Sequence, residues 1–159
     1  MFEQFPQEAI EGWMDLALRQ ARLSEAADEV PVGAVLLLNG ELVTQAGNHM
    51  IASHDPSAHA EMTALRQGGA ILGNYRLPQT VLVVTLEPCL MCYSAMVHAR
   101  IGGLVYAAAD FKTGVFSTGA LERIGHIFNH SFRVRNGVRG EEASSLLSAF
   151  FLRRRERKR

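Results

Sequence analysis

Two cysteines in 159 residues are too few for a disulfide framework, and Cys89 and Cys92 stand three apart, a spacing that favours a shared metal or a redox pair. Long apolar runs are also missing. No stretch approaches the roughly 20 residues of a membrane span, and Met1-Phe2-Glu3-Gln4-Phe5-Pro6 has neither a basic start nor an apolar run of signal length. A soluble cytoplasmic protein with no membrane partner is therefore expected. Internal repeats and linkers are absent, which leaves no case for two domains at this length. One domain is expected over residues 1–152, with residues 153–159 as the basic end of its last helix.

Net charge is absent too, because 16 basic residues balance 16 acidic ones. The balance hides a segregation. Residues 153–159 hold six basic groups and one acidic group, a local +5 that leaves −5 on the rest of the chain. Such a cluster can bind phosphates by Coulomb attraction and counterion release. It also suits a helix C-terminus, where cations favour the helix dipole.

What the chain does have is clear periodicity. Residues 7–27 carry Ile10, Trp13 or Met14, Ala17 and Ala21 at helical spacing, with Trp13 read as a core or interface residue. Residues 32–38 and 41–46 read as strands joined by the hairpin turn Asn39-Gly40. Residues 48–56 read as a loop, and Ser57 is placed to cap a helix over 58–67 that Gly68-Gly69 would stop. Residues 80–86 are almost wholly apolar, as in a strand buried on both faces. A helix is predicted from Pro88 to His98, a strand over 104–109, a loop over 110–119, a short helix over 120–130 and an edge strand over 133–138. The last helix, 141–157, should place Leu146, Leu147, Phe150 and Phe151 on its apolar side. This order predicts an α/β protein with a mixed sheet covered by helices on both faces.

Two stretches carry chemistry. His59-Ala60-Glu61 lies about thirty residues before Glu87-Pro88-Cys89-Leu90-Met91-Cys92. One imidazole and two thiolates make three zinc ligands, which leaves the fourth tetrahedral position to water and marks a catalytic site. Cys89 and Cys92, at i and i+3, share a helical face. Glu61 is close enough to move that water's protons. A redox pair would belong in a thioredoxin-like context, and structural zinc would want a fourth protein ligand. His54, before an Asp-Pro turn, and His98, off the cysteine face, are available by residue type, and neither is assigned to the metal.

His-x-Glu followed by Pro-Cys-x-x-Cys is the signature of zinc nucleobase deaminases. With Pro31-Val32-Gly33-Ala34, His54-Asp55-Pro56, Asn74-Tyr75-Arg76-Leu77, Thr85-Leu86-Glu87 and Asp110-Phe111-Lys112-Thr113-Gly114, nearly the whole chain resembles the bacterial tRNA adenosine deaminases. The resemblance implies a three-layer α/β/α sandwich of cytidine-deaminase type, a homodimer and one Zn²⁺ per subunit. It implies conversion of adenosine to inosine at wobble position 34 of the anticodon stem-loop of an arginine tRNA, with Glu61 as proton shuttle and His59, Cys89 and Cys92 as ligands. By the same resemblance Asn48 contacts the base, Asp110 the ribose, and Phe151, Arg154 and Arg155 meet the RNA. Met50, Tyr93-Ser94 and Val115-Phe116-Ser117-Thr118 depart from residues frequent in that family. The rival readings are a deaminase of free guanine or cytosine, or of a nucleoside, and a zinc-stabilised RNA-binding protein without turnover.

Overall fold

The computed structural model describes residues 1–157; Lys158 and Arg159, the last two residues of the basic segment, lie outside the described residues. Pro6, extended at φ −64° and ψ 157°, turns the chain into α1, Gln7–Ala26. Ile10, Met14, Ala17, Leu18 and Ala21 form its buried stripe. Strands β1, Gly33–Leu38, and β2, Glu41–Gly47, pair antiparallel around Asn39-Gly40. Both turn residues have positive φ, 53° and 85°, as a two-residue hairpin turn of this kind requires. A side chain at Gly33 would put its Cβ 1.9 Å from the Ala17 carbonyl oxygen, so glycine lets the α1 backbone rest directly on β1.

The expected loop after β2 contains one helical turn, α2, Met50–Ser53, held where the Ala52 N–H donates to the buried Glu29 carboxylate. There follow α3, Ala60–Leu72, β3, Thr80–Leu86, α4, Leu90–His98, and β4, Gly103–Ala108. The chain closes with α5, Ala120–Ile124, β5, Arg133–Arg135, and α6, Gly140–Glu156. The sheet order is β2-β1-β3-β4-β5, with β1 antiparallel to β2 and β3, and β3, β4 and β5 parallel. Alternation along β3 builds a core on each side: Val81 and Val83 pack with Ile10, Met14 and Ala143, whereas Leu82 and Val84 pack with Ala64, Leu65 and Met96. The α/β/α sandwich is as expected. Among the described residues no helix is long and apolar enough to cross a membrane.

Several boundaries move for identifiable reasons. Gly68-Gly69 does not stop α3; Gly68 sits where an added Cβ would lie 2.3 Å from Leu36 Cδ2, and left-handed Gly73 ends the helix five residues later than predicted. Ser57 is not the cap; His59, in extended conformation, precedes the first helical residue. The helix predicted from Pro88 begins at Leu90, behind Cys89. The segment 120–130 is α-helical only to Ile124, with a 3-10 turn at Gly125–Ile127. The edge strand stops at Arg135, before Asn136 and left-handed Gly137. On α6 the buried residues are Ala143 and Phe150, and Phe151 turns outward at 46% exposure.

Candidate active site

The sequences that start α3 and α4 bring the metal donors together. His59 and Cys89 are the N-cap residues of these two helices, both extended, and Cys92 lies in the first turn of α4. His59 Nδ1 is 3.4 Å from Cys92 Sγ and 3.7 Å from Cys89 Sγ. A tetrahedral zinc with bonds of about 2.3 Å to sulfur and about 2.0–2.1 Å to nitrogen needs S···N separations of about 3.5 Å. The donor set fits one zinc ion. No further His, Cys, Asp or Glu joins it among the described residues. His98 lines a separate groove beside Tyr75.

Residues i and i+2 diverge on a regular helix, but His59 stands outside α3 and need not share a helical face with Glu61. Glu61 is 4% exposed, and burial pushes its carboxyl up to about 7. A hydrogen bond with Cys92 holds the Cys89 thiol down at about 4, while the same contact and burial push Cys92 up. The helix N-termini add to the stabilisation of thiolate. The Cys89 sulfur also raises the His59 imidazole above its ordinary range, against the opposing effect of burial.

Asn48, buried, organises the next wall. Its Oδ1 accepts from the Ala60 N–H at 2.8 Å, fixing the start of α3, and its carbonyl accepts from Ser24 Oγ. Neither bond uses its Nδ2, and the residue lines the cavity described below. Asp110 heads a loop in which its Oδ1 accepts from the Lys112 and Thr113 amides and its Oδ2 from the Thr113 hydroxyl. Burial opposes ionisation there, but these donors outweigh it and hold the carboxyl below the usual range.

A cavity of about 800 Å³ joins these groups. His59, Glu61, Cys89, Asn48 and Asp110 line it, and α6 contributes Phe151, Arg154 and Arg155. Every expected site residue thus faces one space, except Cys92, which is buried behind it. The arginines of α6 differ. Arg153 pairs with Glu25, Arg157 with Asp28 at 3.1 Å, and Arg154 donates to the Asp28 carbonyl at 3.2 Å while lying over the Phe150 ring.

Glu87, which the sequence left without a role, is the buried carboxylate that organises the loop beside the site. It is 2% exposed, and its carboxylate accepts four hydrogen bonds, from the N–H groups of Asp110, Phe116 and Ser117 and from Ser117 Oγ. An acid directly after an apolar strand was the available signal. The departures in sequence also find a place. Tyr93 packs edge-on to Phe116 and Phe128 and beside Phe132, with Val115 buried below, so the unusual residues at 93, 115 and 116 fill one another's space. Met50 lines the cavity.

Fold and donor set together define a zinc-dependent hydrolytic deaminase. The chain belongs to the cytidine and deoxycytidylate deaminase family, whose zinc-binding region matches residues 7–108, and within it to the tRNA-specific adenosine deaminases. It is 44% identical over 150 residues to the tRNA-specific adenosine deaminase of Haemophilus influenzae, covering 94% of this chain and 87% of that protein. A solved structure from work on A-to-I editing by tRNA:A34 deaminases at the wobble position of transfer RNA superposes with a TM-score of 0.82 at 40% identity, covering 86% of this chain and 99% of that one. A guanine deaminase from Nitrosomonas europaea shares the fold more distantly, with a TM-score of 0.73 and 26% identity over 88% of this chain and 83% of that one.

Proposed function

We propose that this chain is a cytoplasmic, homodimeric enzyme that converts adenosine to inosine at wobble position 34 in the anticodon stem-loop of an arginine tRNA. One observation carries the reading: the cavity that holds the zinc donors and Glu61 continues to the basic end of α6, so a reacting base and its strand have adjoining places. The names of the relatives support it, since those more similar in sequence, at 40–44% identity, are named for tRNA and the guanine deaminase stands at 26%.

His59, Cys89 and Cys92 hold the metal. When bound, zinc supplies the Lewis acidity that brings the pKa of a water towards neutrality. Glu61 then does the proton work. It takes one proton from the attacking water and delivers it to adenine N1, then carries the second, from the hydroxyl now on C6, to the amino group, which leaves as ammonia as the C6–N bond breaks. Adenosine and water thereby become inosine and ammonia. A carboxyl shifted towards neutral pH gives and takes protons at similar cost.

Asn48 Nδ2 donates to the base edge, while its Oδ1 stays on the Ala60 N–H and keeps the amide from turning over. Asp110 has accepted three hydrogen bonds, and its remaining acceptor site on Oδ2 takes a ribose hydroxyl, which favours RNA over DNA. Phe151, Arg154 and Arg155 meet the strand with ring and charge.

The test is incubation of the zinc-loaded protein with total tRNA, free guanine and free cytosine in parallel, followed by inosine mapping by sequencing. Inosine confined to position 34 of an arginine tRNA is expected. Inosine elsewhere, or turnover of a free base alone, overturns the assignment. Sedimentation of the same preparation checks the dimer.

A further inference from the structure

We propose that Phe111 is a stacking platform for an unpaired nucleobase flanking the reacting nucleotide, with Lys112 taking a phosphate of the same strand; this rests on single-stranded RNA being the substrate. Phe111 is the most exposed large apolar side chain among the described residues, at 81%. A ring in water contributes nothing to the core, so its place needs another account.

That place is at the reaction centre. Phe111 and Lys112 line the catalytic cavity, and Phe111 also borders the groove along α6 that continues from it past Ser144 and Ser148. The loop beneath the ring is built. Asp110 binds the Lys112 and Thr113 amides just past it, and the N–H of Asp110 donates to Glu87. The Val115 N–H reaches the Pro88 carbonyl, and Gly114 bridges to Cys89. The aromatic side chain is therefore fastened, through a short run of hydrogen bonds, to the segment that carries a zinc ligand.

A flat ring on an ordered loop loses little freedom when a base stacks on it. Every base has a π-face, so the contact tolerates sequence and sets position. An adjoining exposed cation at the same rim adds charge for the backbone.

The experiment uses zinc-loaded full-length protein and an anticodon stem-loop RNA. F111A should raise KM about tenfold, within the roughly 5- to 150-fold range expected when a base–aromatic stack is removed, with kcat little changed, and F111W should restore it. Replacing each flanking base by an abasic ribose should identify one position at which wild type and F111A become equal. 2-Aminopurine at that position should be quenched by wild type and by F111W, and not by F111A. Equal KM values for wild type and F111A, a deficit that survives every abasic replacement, or a changed oligomeric mass in F111A overturns the proposal. Failure of the wild type to bind the stem-loop and to form inosine sinks the substrate reading itself, a result distinct from normal inosine formation with no effect at Phe111.

Discussion

Glu87 and Asp110 are joined by a hydrogen bond of 2.8 Å in which the main-chain N–H of Asp110 donates to Glu87 Oε2. The two residues lie just past the ends of the neighbouring parallel strands β3 and β4. Through this bond the strand end that leads into Cys89 also sets the loop that walls the cavity. One buried carboxylate thus holds both the segment that carries a zinc donor and the loop that lines the cavity.

Replacing Glu87 by Gln puts an NH₂ group against main-chain N–H donors that cannot turn away, although the Ser117 hydroxyl can rotate to accept from it. We expect E87Q to lose about 1–3 kcal/mol of stability, the cost of buried donors left unsatisfied, and to fall in kcat/KM while keeping its zinc. Thermal melts, metal analysis and kinetics check this; a variant that melts and turns over like wild type would falsify the role.

Glu61 is outside the metal triad, so E61A should retain stoichiometric zinc and lose deamination by roughly 10²–10⁴-fold, the usual share of a general acid–base. Metal analysis beside inosine assays separates the outcomes. Zinc loss in E61A would make the residue part of the metal site.

The arginines of α6 should divide by their partners. Arg155 lines the cavity, whereas Arg153 is paired with Glu25. R155A should weaken RNA binding and reduce the salt slope by about 0.7–0.9 for each phosphate that Arg155 neutralises. R153A should leave that slope unchanged and alter stability by less than about 1 kcal/mol, as exposed pairs do. Binding titrations across salt concentration decide it. Truncation after Leu152 removes both functions at once, so its effect is expected to exceed that of R155A.

Asp110 is held below the ordinary carboxylate range in the folded protein, against burial, by Thr113 and the Lys112 amide. A depressed folded value contributes stability that is complete above the unfolded pKa of about 4 and is lost as pH falls through the folded value. D110N should therefore melt below wild type at pH 5–7, by roughly 1 kcal/mol after solvent screening, and the gap should close towards pH 3. A gap independent of pH assigns the stability to something other than the charged acceptor.

Local signals carried much of the fold. The apolar run of β3, the Asn39-Gly40 turn and the stripe of α1 depend on neighbours in sequence, and each appears where its pattern places it. Gly68-Gly69 shows the limit. Its meaning depends on Leu36, thirty-two residues earlier, and a glycine that lets a strand side chain close on a helix looks in sequence like a glycine that ends one.

The site divides the same way. His59, Glu61, Cys89 and Cys92 are legible because zinc chemistry restricts residue types and spacing. Glu87 was not, since its four donors come from residues 110–117 and meet it only after β3 and β4 pair. Phe151 was misplaced because its position at the edge of the α6 stripe does not say which of two adjacent rings enters the core. Phe150 takes that place, and Phe151 is free to face the cavity.

A chain with no disulfide still has one strong cross-link available. The zinc donors stand at residue 59 on one side and at residues 89 and 92 on the other, and the intervening segment contains α3 and the whole of the central strand β3. Metal binding therefore closes a loop of about thirty residues, a constraint that acts on the unfolded chain much as a disulfide does. A zinc ion held by these donors would also staple the start of α3 to the start of α4, so the two cysteines would serve topology as well as chemistry.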